Sequence, residues 1–443
     1  MGRIAVIGGG ISGLTTAFYL MKAGRNVSVF EKNNPGGSIQ SDDLDGTTID
    51  LGPNSLRDKT GDLVDLVNEL NLNDEFIEVS EAFKTRCIVR HGKLQYLKPS
   101  PLTLLTTPIL SFGGKFRILG EPFSKAGNDG DEEESVADFL SRRIGSEAVD
   151  YLVDPFFSGI YAGDIHRLSK HELMPKLAQF EAEHGSLMKG MRKASKKGKS
   201  HPKTSVFNFK KGLQTLTDAL AKSLGNHLIP HEVTSIQKSE KGYVLSWNGE
   251  SEEFDKVIAC IPAYNLATLL QDWDSKTAQQ LAKIEYSPIL TTQLIFDKNE
   301  LAQIPEGFGF LVPRKEKLRL LGAIWKSSIF PDMAQPGHTH FNLMSGGAHD
   351  QFTGGDVEKV QAEVIKEFKQ LMGIKIEPKN VYSRYWQKAI PQFNIGYKSI
   401  REQLDTFRNV NPNFIIGGNY VWGVAVPECI SKAKMAAHDI TRV

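Results

Sequence analysis

Short apolar runs closed by glycines alternate along this chain with stretches whose apolar residues recur every three or four positions. Residues 3–7, Arg-Ile-Ala-Val-Ile, are mostly β-branched and predict a buried strand. The turn Gly8-Gly9-Gly10-Ile11-Ser12-Gly13 follows. Leu14, Ala17, Phe18, Leu20 and Met21 then fall at helical spacing up to Gly24, a suitable stop. Residues 27–30 predict a second strand, running into Glu31, so the chain opens with a βαβ unit. Leu63, Leu66, Val67 and Leu70 predict an amphipathic helix over 61–72. Residues 84–95 read as strand with a tight turn at His91-Gly92. Ser135 suits a helix N-cap, and helical spacing runs on to about Met191, broken across 155–164. Residues 212–224 predict a helix, and 232–236, 242–247 and 256–259 three strands. Residues 290–296, 309–313 and 320–325 predict strands of a second sheet, and 357–372 an amphipathic helix. A strand at 414–416 runs into Gly417-Gly418, and a last helix spans 431–441.

The 443 residues give length for two or three domains, and 40% hydrophobic with 24% charged residues is an ordinary globular mixture. Lys+Arg 53 against Asp+Glu 52 leaves a net charge of +1, which argues against a general nucleic-acid binder. Cys87, Cys260 and Cys429 lie far apart with no metal-ligand spacing, so a reducing compartment and no metal are expected. With the first strand at residue 3 no leader is expected, and the most apolar windows, 99–112 and 414–426, are interrupted by Pro, Thr or Gly. A cytoplasmic protein without a membrane span is expected. Residues 127–134 are acidic. Lys189, Arg192, Lys193, Lys196, Lys197, Lys199 and Lys203 make 189–203 strongly basic: a solvated loop, or a contact to anionic lipid or a partner.

Gly8-x-Gly10-x-x-Gly13 between strand and helix points to dinucleotide binding. The helix N-terminus offers unpaired amides and a partial positive charge to a pyrophosphate. Gly8 permits the turn, Gly10 lets phosphates near the backbone, and Gly13 lets helix and strand pack closely. Glu31 stands near the ~20-residue offset at which an acid accepts ribose hydroxyls. After Lys32, the Gly36-Gly37-Ser38 doublet gives a second close backbone approach. Asp50-Leu51-Gly52-Pro53-Asn54 is another tight turn. Near the other end, Gly417-Gly418-Asn419 and Gly423-Val424-Ala425-Val426 follow a strand and precede a helix. Such a return to the first site suits a two-ended flavin dinucleotide better than a nicotinamide.

These residues resemble the protoporphyrinogen oxidase family within the amine-oxidase-like flavoproteins. The opening 6–14 and Gly36-Gly37 are shared with the whole superfamily. More specific are Gly52-Pro53-Asn54-Ser55, Arg90-His91-Gly92-Lys93-Leu94 and Pro155-Phe156-Phe157-Ser158-Gly159-Ile160-Tyr161-Ala162-Gly163-Asp164. So are Phe209-Lys210-Lys211-Gly212-Leu213, Leu311-Val312-Pro313, Tyr385-Trp386-Gln387-Lys388-Ala389-Ile390-Pro391 and Gly418-Asn419-Tyr420. The resemblance implies non-covalent FAD and the six-electron oxidation of protoporphyrinogen IX to protoporphyrin IX. Oxygen would be the acceptor, and hydrogen peroxide would form. It further implies peripheral contact with the inner face of the cell membrane, hand-over of product to a chelatase, and a homodimer. Coproporphyrinogen III oxidation is the nearest alternative. An amine oxidase or desaturase, or a non-catalytic flavoprotein, would use the same scaffold.

The resemblance also assigns residues. Gly8, Gly10, Ile11, Ser12, Gly13, Glu31, Lys32, Gly36, Gly37, Ser38, Gly52, Pro53, Asn54, Ser55, Gly418, Asn419, Val424 and Val426 would hold the cofactor. Val233 would meet adenine through its backbone, and Trp386 would stand near the flavin. Arg86 would pair with a propionate, with Lys84, Arg90 and Lys93 as neighbouring alternatives. Leu311 and Ile324 would sandwich a pyrrole ring, Met344 stands where the family often has Phe, and the Gly159 backbone would approach the macrocycle. Trp422 replaces a common Gly. No acid–base catalyst is expected. The expected fold is α/β. A doubly wound, Rossmann-like FAD domain would come from 1–76, 205–265 and 400–443. A substrate domain on a mixed or antiparallel sheet would come from 77–98 and 266–399, and a helical insertion from 99–204.

Overall fold

The computed structural model describes residues 2–97, 106–124, 127, 133–197, 206–350 and 356–442. Five parallel strands lie in the order Leu228–Ile229, Asn26–Phe30, Arg3–Ile7, Lys256–Ala259, Phe414–Ile416. Successive side chains of a strand point to opposite faces, and both faces are covered here, which is why these strands read as continuous apolar runs. Ile4, Val6 and Ile258 pack beneath the helices Ile11–Lys22, Gln214–Leu224 and Val426–Arg442. Ala5, Ile7, Val257 and Ala259 pack on the other face. Their partners there are a three-stranded antiparallel layer (Ser235–Lys238, Tyr243–Trp247, Glu250–Phe254) and the helices Ala263–Leu270 and Ser275–Ala282.

The second sheet has seven strands. Their order is Asn380–Pro391, Tyr286–Asp297, His338–Gly346, Leu320–Ile324, Gly309–Leu311, Arg86–Arg90, Lys93–Leu97. All neighbours are antiparallel except Gly309–Leu311 with Arg86–Arg90. Phe310, Ala323 and Leu343 face the helix Val357–Met372, which buries Val360, Val364 and Phe368 against them. Leu311, Ile324 and Met344 alternate to the opposite face. The strands Leu56–Arg57, Val206–Phe209 and Phe76–Glu78 form a separate small antiparallel sheet, which packs Leu56, Phe207 and Phe209 into the nucleotide core and Ile77 and Val206 beside Ile324.

The structure departs from the sequence expectations in several places. The expected break at 155–164 comes later than its start: a π-helical turn, Val149–Val153, leads directly into the helix Asp154–Tyr161, which ends at Ala162 in the left-handed region (φ 48°), and helix resumes only at Lys170. Gly159 therefore sits within a helix, where its missing side chain leaves room for Leu311; a Cβ would lie 2.9 Å from Leu311 Cδ2. The basic segment is helical over Leu187–Lys197, and its remainder, like 99–105 of the Pro/Leu-rich window, lies outside the described residues. Two long strands, His338–Gly346 and Asn380–Pro391, escape the apolar-run criterion because they carry polar or charged side chains at many positions. Ser135 caps the helix Val136–Ile144, accepting from the Asp138 amide at 3.0 Å.

The helical region closes around a buried ion pair. Arg143 and Glu121 have side chains 0% and 1% exposed. Glu121 also accepts from Ser186 Oγ (2.7 Å) and from the amides of Leu187 (2.8 Å) and Met188 (3.1 Å), so it caps the basic helix. Burial opposes ionisation of Glu121. The hydrogen bonds from Ser186, Arg143 and the two amides outweigh it and hold the carboxyl below its ordinary range. A depressed carboxyl contributes stability that is full above its unfolded value of about 4.3 and fades as pH falls below it. Arg143→Met strands that carboxylate. It is expected to cost about 3–5 kcal/mol, measured as a lower midpoint of thermal unfolding at pH 7, with the deficit shrinking below about pH 4.

Candidate functional site

A single cavity of about 2250 Å³ runs from the C-terminal edge of the parallel sheet to the inner face of the seven-stranded sheet. At the first end, Gly8 (φ 105°) turns the chain from strand to helix, and the helix Ile11–Lys22 starts at Gly10 with no side-chain cap and no acid in its first turn. A Cβ built on Gly10 meets nothing within 4 Å, whereas one on Gly13 would lie 1.9 Å from the Gly8 carbonyl oxygen. Gly10 thus leaves the cavity open beside bare helix amides, and Gly13 permits close packing. Gly36 (φ 121°) and Gly37 (φ 61°) close over this loop, with the Gly36 amide donating to Gly9 O at 2.8 Å. The Glu31 carboxylate accepts from the amides of Gly9 (2.7 Å) and Asn33 (2.8 Å), which fixes it at the rim; Lys32 pairs with Glu232 at 2.8 Å. Uncapped amides, space for an anion and a fixed acid fit the diphosphate and ribose of a dinucleotide.

Between the two ends lies a buried polar knot that the sequence reading missed. Lys326 Nζ and Asp50 Oδ2 are 2.9 Å apart, with side chains 1% and 0% exposed. Lys326 also donates to Asn54 O at 3.0 Å, and Asn208 bonds both Asp50 Oδ2 (2.8 Å) and Asn54 O (3.0 Å). Ser41 Oγ and the Leu213 amide complete Asp50 Oδ1 at 2.8 and 2.9 Å. Gln293 donates to Asp50 O at 2.9 Å and pairs with His340 at 2.8 Å; Asn342 donates to the Asn54 side chain. Burial, then the Lys326 charge, pushes the His340 pKa down to about 3, so the ring is neutral at ordinary pH. Trp386 Nε1 donates to Leu51 O at 2.8 Å, and Arg384 lies over its ring at 4.9 Å. The turn from Asp50 to Asn54 is therefore held from several sides. No local motif announces this, because Asp50 and Lys326 are 276 positions apart.

At the second end the wall is apolar: Ile88, Leu97, Phe156, Ile160, Phe308 and Leu321 line it together with Leu311, Ile324 and Met344. Arg86 lies at its side, its guanidinium 4.8 Å from the Phe83 ring and 5.6 Å from Phe308. Of the four cations considered for this position, only Arg86 lines the cavity. Lys84 pairs with Glu81, and Arg90 lies 3.4 Å from the Tyr151 ring centroid and 3.3 Å from Glu147. Lys93 is an exposed hairpin residue.

Every site residue expected from sequence lines this cavity except Gly13, which packs beneath it. Gly52, Pro53, Asn54, Ser55, Ser38, Val233 and Trp386 come together with Gly418, Asn419, Val424 and Val426 from the far end of the chain, and Gly159 reaches it from the helical region. The Trp422 ring packs over Gly417, where a Cβ would lie 2.5 Å from it. Lys326→Met strands Asp50 without its buried cation. It is expected to cost about 3–5 kcal/mol and to loosen the Gly52–Asn54 turn, read as faster loss of yellow cofactor on dialysis. Asp50→Asn in the same chain should recover part of the stability.

The family described as flavin containing amine oxidoreductase matches residues 11–441. Protoporphyrinogen oxidase 2, chloroplastic/mitochondrial, of Arabidopsis thaliana is 31% identical over 98% of this chain and 93% of its own length. Coproporphyrinogen III oxidase of Bacillus subtilis is 28% identical over 99% and 97%. Among solved structures, a crystal structure from Exiguobacterium sp. 255-15, provisionally described as a protoporphyrinogen oxidase, superposes with a TM-score of 0.84. It shares 23% identity and covers 100% of this chain and 99% of that one. The chain is thus a flavin-dependent oxidoreductase and belongs to the flavin containing amine oxidoreductase family, alongside the porphyrinogen oxidases.

Proposed function

We propose that the protein oxidises protoporphyrinogen IX to protoporphyrin IX with bound FAD and molecular oxygen. The observation that carries this reading is the continuity of the cavity: a dinucleotide cradle opens directly into an apolar slot with Arg86 at its side. The chemistry a bound flavin supplies is acceptance of hydride equivalents and return of electrons to oxygen. The chain's own residues bind and orient. The Gly8–Gly13 loop and Glu31 hold the dinucleotide, the Gly52–Ser55 turn and Trp386 position its reactive end, and Leu311, Ile324 and Met344 cover the face of the macrocycle. Arg86 anchors a propionate through a bidentate fork. We assign the nucleotide task to 1–76, 205–265 and 400–443, and the substrate task to 77–98 and 266–399, except that the helices Ala263–Leu270 and Ser275–Ala282 pack on the parallel sheet and so belong with the nucleotide part. Coproporphyrinogen III is the second reading, favoured by the further cations Arg57, Arg384 and Lys388 on the cavity wall.

Anaerobic mixing of the holoenzyme with each porphyrinogen is the test. Flavin bleaching, followed by porphyrin fluorescence on admitting air, is expected with the true substrate; no bleaching with either would overturn the reading. Arg86→Ala is expected to raise KM by about tenfold while leaving the flavin spectrum unchanged.

Peripheral membrane docking is part of the same proposal. No helix among the described residues is long and apolar enough to cross a bilayer. Phe112 and Phe116 are 80% and 72% exposed on one face of the helix Phe112–Leu119, and Phe123 beyond it is 90% exposed. Lys115 lies over the Phe112 ring at 5.4 Å and sets a cation beside this apolar face, as in a helix lying in an anionic interface, while Arg117 is turned back to the carbonyls of Arg142 and Arg143. Co-sedimentation with vesicles containing anionic lipid is expected. Phe112→Ser with Phe116→Ser should abolish it, and a wild-type protein that stays in the supernatant would refute it. Such docking would place product release, and hand-over to a chelatase, at the lipid surface.

A further inference from the structure

The cavity holds a second arginine that the sequence reading assigned no role. Arg57 ends the two-residue strand Leu56–Arg57, immediately after the Gly52–Ser55 turn, and the strand is pinned by pairing Leu56 with Phe207 and Arg57 with Val206. Leu56 is 1% exposed and points into the core of the nucleotide layer. Strand alternation therefore turns Arg57 the other way, and it lines the cavity that Arg86 also lines. Arg86 lies across two aromatic rings, and among the described residues no hydrogen bond or ion pair engages it. Burial, and then the charge of Arg57, lower its pKa. Two guanidinium groups that repel each other in a half-dry space become favourable when an anion comes between them.

We propose that Arg57 and Arg86 form a two-armed carboxylate clamp at the edge of the apolar slot, with Arg57 as a second substrate-binding residue. The clamp deepens the porphyrinogen reading, on which it rests for the identity of the flat apolar body between the arms. Each guanidinium presents a planar fork that matches one carboxylate. Two forks in one wall suit a macrocycle with acid arms on neighbouring rings. Lys84 and Arg90 do not serve as the second arm, because neither lines the cavity.

The test is equilibrium binding of protoporphyrin IX and of its dimethyl ester to the oxidised holoenzyme, read by porphyrin fluorescence quenching. Wild type is expected to bind the diacid at least about tenfold tighter than the diester. Arg57→Met should remove most of that preference and leave diester affinity unchanged. Arg57→Lys should fall between, since the charge remains and the fork is lost. Unchanged diacid affinity in Arg57→Met overturns the clamp. So does an equal fall for diacid and diester, which a merely structural role would give. The flavin absorbance of each variant confirms an intact cofactor site. Turnover is measured separately: a holoenzyme that shows the acid preference but bleaches with neither porphyrinogen upholds the clamp and defeats the proposed reaction.

Discussion

A lysine and an aspartate buried together between two sheets are the constraint on which this site turns. Taking two charges out of water costs several kcal/mol for each ion, and their attraction repays this only when the remaining donors and acceptors are also satisfied. Here they are. Asp50 receives Lys326, Asn208, Ser41 and the Leu213 amide, and Lys326 spends a further proton on Asn54 O. The partners come from four separated stretches of chain, so the arrangement exists only when both sheets are docked. Its product is a turn, Leu51-Gly52-Pro53-Asn54, whose backbone is fixed where the nucleotide end of the cavity meets the substrate end. A hydrophobic pair of equal volume would fill the space, but it would not orient the Asn54 carbonyl.

The two ends of the cavity are built by different means, and this decides what was legible in the sequence. The nucleotide end is made of backbone: left-handed glycines, bare helix amides and a carboxylate held by two amides. Such features are local, so Gly8, Gly10, Gly13, Glu31 and Gly36-Gly37 could be read from spacing alone. The five parallel strands were mostly legible for a related reason, since burial on both faces leaves an unbroken apolar run. Leu228–Ile229, only two residues long, gave no such signal.

The substrate end is made of side chains brought together across the seven-stranded sheet. Polar strands such as His338–Gly346 carry His340 and Asn342 inward to the buried knot, and the alternation that normally marks a strand is lost because both faces are buried. Lys326, Asn208 and Gln293 look like surface residues in sequence; only their distant partners make them interior. Gly159 invited the reading of a helix break, whereas the helix continues and the missing Cβ admits Leu311. Arg57 was passed over because the recognisable pattern, Gly52-Pro53-Asn54-Ser55, ends two residues before it.

This division also bears on how the cofactor is kept. Cys260 and Cys429 both line the nucleotide end of the cavity, yet burial pushes the Cys260 thiol far up and raises Cys429 to about 11. The thiolate is the nucleophile, and neither sulfur supplies it at neutral pH. What the nucleotide end offers a flavin is therefore backbone amides, the Glu31 carboxylate and the fixed Gly52–Asn54 turn, none of which is built from Arg57, Arg86 or Met344. A scaffold arranged in this way can change the charge and bulk of its substrate wall, at Arg57, Arg86 or Met344, without disturbing the cradle. Relatives whose names carry different porphyrinogens on one shared fold are what that independence allows.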